Sequence, residues 1–313
     1  MRHDPWFGRR PALAGIVGAL AIAFSAILVR LSEASPSTAA VFRCLYALPL
    51  LAALAAWERR RYGPRPARDR RLGAVAGVLL AADLILWHHS IVNVGAGLAT
   101  VLGNLQVVLV ALAAWAVLGE RPGARIVAAV PVVLAGAVLI SGVLEVAAYG
   151  RDPALGTVFA GLTVIAYAGF ILVLRQTNSD VRRPSGPLFD ATLVSGLVTI
   201  LAGAALGEVD LVPAWPAHGW LALLALSSQV VGWLLISISL PRLPAAVTSV
   251  LLLIQPVAAV ALAAVLLGED PSTLQAFGVV VVLGGVALAT VPLGRRGTDR
   301  AREVEPEAAG VAP

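Results

Sequence analysis

Two charged side chains, Arg43 and Asp83, stand inside long apolar stretches of this 313-residue sequence. A charge at the centre of a membrane-spanning helix costs about 2.5–3.5 kcal/mol on insertion scales, so such residues are usually paired or functional. At about 1.5 Å per helical residue, Arg43 lies roughly 10 Å from the outer end of its stretch and Asp83 roughly 16 Å from the inner end of its own. In a membrane core of about 30 Å, both therefore lie in the outer half at a similar depth. We expect the two to pair. Two interpretations stay open: a structural ion pair, or a proton- or substrate-binding carboxylate at Asp83 that Arg43 modulates.

Aromatic and imidazole groups follow Asp83 in the same stretch. Trp87 comes four residues later and therefore shares its helical face. The adjacent His88 and His89 point about 100° apart on a helix, so they do not form one metal site. We expect one of them, with His88 as the candidate, to face a cavity and titrate near neutral pH. The alternative is that both anchor the helix at the membrane interface.

Uncharged polar and aromatic residues continue this pattern in other apolar stretches. They are Asn104, Gln106, Tyr167, Gln229, Trp233 and Gln255. Amides can orient a substrate without the cost of burying a charge, and aromatic rings offer flat apolar surfaces. The alternative is hydrogen bonding between helices, worth about 1–2 kcal/mol or less per bond. Together with Arg43, Asp83, Trp87 and His88, these six residues form the predicted substrate-binding set.

Enzyme chemistry finds no support in the sequence. It contains no HExxH, GxGxxG or GxSxG motif, so we expect no catalytic activity, no metal and no cofactor. The lone Cys44 excludes an intrachain disulfide and is expected to pack as a small residue. Acids at the ends of stretches have structural interpretations: Glu120 and Glu269 shape turns, and Asp190 lies in a first helical turn, where the helix dipole favours it.

The composition indicates which elements must position these residues. Hydrophobic residues make up 59% of the chain, charged residues only 13%, and mean hydropathy is +0.88. Soluble domains carry about 25% charged residues, so this chain cannot cover a water-facing surface. A soluble enzyme, a disordered regulator and a nucleic-acid-binding module are therefore excluded, and the lipid bilayer is the expected surroundings.

Ten apolar stretches are long enough to be membrane spans of roughly 20 residues. They do not alternate between apolar and polar residues as barrel strands do, so we predict helices. The predicted helices are 12–29, 36–57, 72–90, 94–118, 122–143, 155–174, 187–206, 218–239, 244–267 and 272–293.

The arginines predict the orientation. All 23 basic residues are arginines, and if the N-terminus is cytoplasmic, 20 of them lie in cytoplasmic segments and 2 in outer loops. This asymmetry follows the positive-inside rule. We therefore expect a multi-pass protein of a bacterial inner membrane with a cytoplasmic tail at 1–11 and a cytoplasmic, disordered tail at 294–313.

An internal repeat divides the chain into 12–143 and 155–293. Leu-Gly-Glu-x-Pro ends the fourth stretch at 118–122 and the ninth at 267–271, and the offset of 149 gives 16 identities in 44 positions over 96–139. Five spans per half is an odd number, so the halves must lie in opposite orientations. Inverted repeats are typical of secondary transporters, whose substrate site lies near the midplane between the halves.

These motifs resemble those of the EamA-type members of the drug/metabolite transporter superfamily. The matching features are Arg43 early in the second stretch, the two L-G-E-x-P corners, and Gln255-Pro256 in the ninth. The resemblance implies ten transmembrane helices in two inverted five-helix repeats around a central cavity, lined chiefly by the third, fourth, eighth and ninth. Since Val107 stands where the second copy has Pro256, we expect the fourth helix to be straighter than the ninth.

The functional hypothesis is a secondary transporter that exports a small amphipathic metabolite, such as an amino acid, by alternating access. Export rests on the resemblance alone. An uncoupled facilitator, an importer and a non-transporting membrane receptor stay open as alternatives. So do protons as the coupling ion and a homodimeric state.

Overall fold

The fold is helical throughout the described part of the chain. The computed structural model describes residues 10–118, 122–177, 182–239, 243 and 245–290, and every regular element there is a helix, which confirms the predicted all-α class. The α-helices are α1 Pro11–Ser32, α2 Pro36–Tyr62, α3 Ala67–Val94, α4 Ala96–Gly103, α5 Gln106–Leu118, α6 Ala124–Ile140, α7 Pro153–Thr177, α8 Ser185–Leu206, α9 Ala217–Leu224, α10 Trp233–Ser239, α11 Ala245–Leu267 and α12 Thr273–Thr290. A π-helical segment, Ala225–Gly232, joins α9 to α10.

The long apolar helices of the structure coincide with stretches predicted from the sequence. Within the described residues, seven helical runs are long and apolar enough to cross a membrane. Three shorter apolar runs accompany them, at Ala96–Leu109, Ala124–Ile140 and Leu253–Leu267. Buried apolar side chains form two clusters, one around α1, α4 and α12 and the other around α2, α3 and α8. Residues from both clusters line the cavity described below.

The predicted fourth helix, 94–118, is divided into α4 and α5. At Asn104 and Leu105 the backbone N–H groups bond to the third residue back, at 3.1 Å each, which is 3₁₀ rather than α-helical pairing. The ninth stretch, by contrast, continues as α11 through Pro256. The expectation that Val107 would make the fourth helix the straighter one was therefore wrong, because the interruption arises at this tightened turn and not at a proline.

The predicted eighth helix, 218–239, is also irregular. Its middle is the π-helical segment, in which an extra residue widens the turn, a feature found most often at functional sites. A Cβ on Gly232 would lie 2.7 Å from Ile22 Cγ1, so glycine allows α1 to pack closely against this segment. The widened turn carries Gln229 into the interior of the bundle.

Reciprocal glycine contacts join α6 to α12. A Cβ on Gly136 would lie 2.6 Å from Val282 Cγ2, and one on Gly285 would lie 2.6 Å from Val133 Cγ1. The offset of 149 converts each of these pairs into the other, so the contact is reciprocal, as across a two-fold axis. Partner numbers fall on α12 as they rise on α6, so the two helices run antiparallel. Small residues are what permits this close backbone approach.

Candidate functional site

A central cavity gathers most of the polar residues predicted from the sequence. Eight of the ten predicted residues line it: Arg43, Asp83, Trp87, Asn104, Gln106, Tyr167, Trp233 and Gln255. They come from α2, α3, the α4–α5 turn, α5, α7, α10 and α11, so both halves of the chain contribute. Their role in binding a substrate stays a prediction.

The two buried charges do not pair with each other, contrary to our expectation. Arg43 is 4% exposed, and its Nε donates to Gln229 Oε1 at 2.9 Å. Its guanidinium carbon lies 5.8 Å from the centre of the Trp87 ring. Gln229 is fixed in turn, because its Nε2 donates to Thr192 Oγ1 at 3.0 Å. The arginine is therefore held from behind by the π-helical segment and does not close on Asp83 in an ion pair.

Asp83 is left facing the cavity. It is 7% exposed, and within the described residues its carboxylate forms no hydrogen bond or ion pair. A buried carboxylate without a partner is costly, which makes it a strong acceptor for any cation or proton that enters. The cavity thus holds a carboxyl group without a direct hydrogen bond and a guanidinium that is bonded to Gln229.

Aromatic side chains form one wall. The rings of Tyr167 and Trp233 lie 6.1 Å apart, and the fully buried Phe170 packs edge-on against Trp233 at 5.5 Å. Because Phe170 supports both rings from behind, Tyr167 and Trp233 present a fixed apolar surface to the cavity. Such surfaces suit the apolar part of an amphipathic ligand.

The α4 segment brings amide and hydroxyl groups to the opposite side. Asn104 Nδ2 donates to Thr100 O at 2.8 Å, and Thr100 Oγ1 donates to Ala96 O at 2.8 Å. Side-chain bonds of this kind compete with the helical backbone ladder, which explains the turn at Asn104. Gln106 and Gln255, related by the repeat, both line the same cavity.

Two predicted residues do not line the cavity. Gln229 does not line the cavity itself but accepts a hydrogen bond from Arg43, which does. His88 is fully buried beside the N-terminus of α2, with Nδ1 3.1 Å from Pro36 O, so the expectation that it faces the cavity was wrong. The neighbouring His89 lies 3.2 Å from Glu208 and stacks on Phe159.

Sequence reasoning missed two hydroxyl groups. Ser25 on α1 and Thr163 on α7 line the cavity, and their buried hydroxyl oxygens have no hydrogen-bond partner within the described residues. Serine and threonine are common in apolar helices, where they usually bond to their own backbone. Only the structure distinguishes these two, because their hydroxyls are left available to a ligand.

Glu269, from the second L-G-E-x-P corner, positions α4. Its Oε1 accepts from Ala96 N at 2.6 Å and its Oε2 from Gly97 N at 3.0 Å, and the residue is 4% exposed. A carboxylate at a helix N-terminus satisfies free N–H groups and complements the helix dipole. Glu269 therefore does more than shape its own turn, because it connects the second half to α4, the helix that ends at the Asn104 turn. The corresponding Glu120 lies outside the described residues.

The same contact explains the glycine before α4. Gly95 has φ of +99°, and a Cβ there would lie 2.9 Å from Glu269 Oε2 and 2.9 Å from a Tyr149 ring carbon. Burial, together with the Glu269 carboxylate, raises the pKa of the Tyr149 phenol, while Arg30 acts in the opposite direction. Glycine is required here for both the backbone angle and the close approach.

Comparison with known proteins identifies the family. A model described as the EamA-like transporter family matches residues 9–142 and 154–291, one match in each half of the chain. The chain belongs to the EamA-like transporter family. The predicted resemblance is therefore confirmed, and the chain is a multi-pass membrane transporter.

Solved structures support the fold of this EamA-like transporter. Twenty-four chains match. One crystal structure covers 90% of this chain and 96% of its own, with a TM-score of 0.61 and 18% sequence identity. At that identity the likeness shows the fold alone. No curated protein matches the transporter.

Proposed function

We propose that this transporter carries a small zwitterionic or amphipathic organic molecule, such as an amino acid, through the central cavity. The observation that carries the proposal is that Arg43 and Asp83 both line the cavity and form no direct hydrogen bond or ion pair with each other, since Arg43 bonds to Gln229 instead. The amino group of such a ligand can bind the Asp83 carboxylate, while the carboxylate of the same ligand binds the Arg43 guanidinium. The Tyr167 and Trp233 rings then accept the apolar part.

Transport by purified protein tests this assignment. In liposomes, we expect counterflow of labelled zwitterionic amino acids, and at least a tenfold loss in Asp83→Asn and in Arg43→Gln. Asp270→Asn is the matched control, since that acid is exposed at the end of the bundle. Full counterflow in Asp83→Asn, or the same loss in Asp270→Asn, would remove Asp83 from the mechanism.

We further propose that ten membrane spans form two inverted repeats that alternate access to the cavity. The reciprocal, antiparallel contact of α6 with α12 supports an axis between the halves. The arginine distribution favours a bacterial inner membrane with cytoplasmic termini.

Labelling from either side of the membrane tests the inversion. Cysteines placed at Gly123 and at Asp270, both exposed, mark the two repeat-related corners. With Cys44→Ser as background, a membrane-impermeant maleimide should label them from opposite sides. Labelling from one common side would overturn the inverted arrangement.

Protons are the proposed coupling ion, and export is the proposed direction. A substrate amine and a proton would compete for the Asp83 carboxylate, so release of one follows binding of the other. A pH gradient should then drive accumulation by the wild type, while Asp83→Asn should retain at most exchange. Equal transport with and without a gradient would instead favour an uncoupled facilitator.

A further inference from the structure

A second cavity lies at the end of the bundle that the arginine distribution predicts to face the cytoplasm. It is formed by the end of α2, the start of α3, the start of α8 and the segments that connect them. None of its lining residues belongs to the central cavity. Four arginines line it: Arg59, Arg65, Arg70 and Arg183.

The charge of this cavity is not balanced by its own acids. Glu58 accepts hydrogen bonds from Ser185 N and Gly186 N, at 2.9 Å each, and so is occupied at the N-terminus of α8. Asp190 is paired with Arg65 and is also influenced by Arg70. Two acids thus face four arginines. A concave surface of one sign concentrates ions of the opposite sign.

Two of the guanidinium groups are held by their neighbours, Arg183 by backbone carbonyls and Arg65 by the Asp190 side chain. Arg183 Nη1 donates to Gly63 O at 3.2 Å, and the guanidinium lies 5.5 Å from the Tyr62 ring. A Cβ on Gly186 would lie 2.8 Å from Arg65 Nε, so glycine admits the Arg65 side chain. Arg65 Nη1 is buried without a hydrogen-bond partner in the described part of the chain. A buried, unpaired donor beside a positively charged cavity is what an anionic ligand would satisfy.

The remaining wall is apolar. Ala52, Ala55 and Ala56 on α2 and Phe189 on α8 line the cavity between the arginines and the membrane-spanning part of the bundle. An anionic phospholipid has this combination of a phosphate group and an apolar tail. Basic pockets between transmembrane helices on the cytoplasmic side are known to bind anionic headgroups.

We propose that this cavity binds a phosphate group, with Arg59 and Arg70 as its exposed ligands and the half-buried Arg65 as the third, through its buried Nη1. The planar guanidinium donates two parallel hydrogen bonds to phosphate oxygens, which a lysine cannot do. The phosphate belongs to an anionic lipid if the apolar wall contributes to binding, and to a soluble phosphate if it does not. Neither source depends on the substrate of the central cavity.

Native mass spectrometry of the full chain in detergent tests the site. We expect one phosphatidylglycerol to be retained in preference to phosphatidylcholine. The double variant Arg59→Gln/Arg70→Gln should weaken phosphatidylglycerol binding at least tenfold. Arg60→Gln/Arg68→Gln removes the same charge from exposed arginines outside the cavity and should change binding by less than twofold. The unfolding temperature of each variant without lipid verifies that it is folded.

Every outcome bears on the proposal. A phosphate site open to soluble ligands is supported if inorganic phosphate competes with phosphatidylglycerol. Phosphate should then also raise the unfolding temperature of the wild type but not that of the Arg59/Arg70 variant. Retention of phosphatidylglycerol without competition by phosphate supports a lipid site. Two results overturn the proposal. One is the absence of any preference for phosphatidylglycerol over phosphatidylcholine together with no response to phosphate, and the other is an equal loss of binding in both double variants. In the last case the arginines act only as a diffuse surface charge.

Discussion

Replacing Glu269 tests how the second half of the transporter positions the polar helix of the first. The carboxylate accepts two hydrogen bonds, at 2.6 Å and 3.0 Å, from the first two N–H groups of α4. In Glu269→Ala both donors lose their partner. In Glu269→Gln one acceptor oxygen remains, while the amide nitrogen faces an N–H group that it cannot accept from.

The magnitude follows from burial. Glu269 is 4% exposed, so water does not replace the lost acceptor. A buried donor left without its partner costs about 1–3 kcal/mol, which predicts about 2–6 kcal/mol for Glu269→Ala and about half of that for Glu269→Gln. The neighbouring Asp270→Asn, exposed at the same corner, should stay within about 0.5 kcal/mol.

Equilibrium unfolding in mixed micelles measures these differences, and ligand binding provides a second readout. Because α4 carries Thr100 and leads directly into the turn at Asn104, loosening its N-terminus should also weaken binding in the central cavity. Both Glu269 variants being as stable as Asp270→Asn would refute the reasoning, since the two bonds would then contribute nothing. A stability loss with unchanged binding would show that α4 is held elsewhere.

Two further predictions concern contacts made by the bundle interior. Gln229→Leu removes the acceptor that holds Arg43, a hydrogen bond to a charged group worth about 1.5–3 kcal/mol, and should weaken substrate binding at least tenfold in calorimetry. Gln229→Glu retains an acceptor and should bind substrate more tightly than the leucine variant. Equal affinities in the wild type and both variants would contradict this role of Gln229. Gly136→Ala places a methyl group 2.6 Å from Val282 and should lower the free energy of unfolding by about 1–3 kcal/mol. At Gly284, where an added Cβ has no packing neighbour within 4 Å, alanine should be neutral or slightly stabilising. Similar changes in stability at both sites would refute the close α6–α12 contact.

The predictable part of the structure is what local composition determines. Span positions follow from apolar length, because a helix must satisfy its own backbone in lipid. Eight of the ten proposed site residues reach one cavity because polar groups in apolar helices are directed away from lipid. The offset of 149 also predicted related positions, and Gly136 and Gly285 each contact a valine of the opposite helix in the α6–α12 contact.

The parts that escaped prediction depend on distant partners. Whether Arg43 bonds to Asp83 or to Gln229 depends on the π-helical segment, whose widened turn has no signature in the sequence. The interruption at Asn104 is a local exception, because that side chain bonds to the carbonyl of Thr100, four residues earlier. His88 was placed by residue type alone, although its surroundings at Pro36 decide that it is buried away from the cavity.

The absence of a direct bond between Arg43 and Asp83 fits the zwitterionic substrate that we propose. Two opposite charges 4 Å apart attract by about 4 kcal/mol at an effective dielectric constant of about 20. If the pair formed in the empty cavity, a zwitterionic ligand would have to break it, and this attraction would be subtracted from binding. Gln229 and the Trp87 ring hold the guanidinium in place without neutralising it, so its charge stays available. The same reasoning makes Gln229→Leu informative, because an arginine released from the Gln229 amide is free to bond to Asp83. For a ligand that binds Arg43 but not Asp83, adding Asp83→Asn to Gln229→Leu should then restore the affinity, since the competing carboxylate is gone.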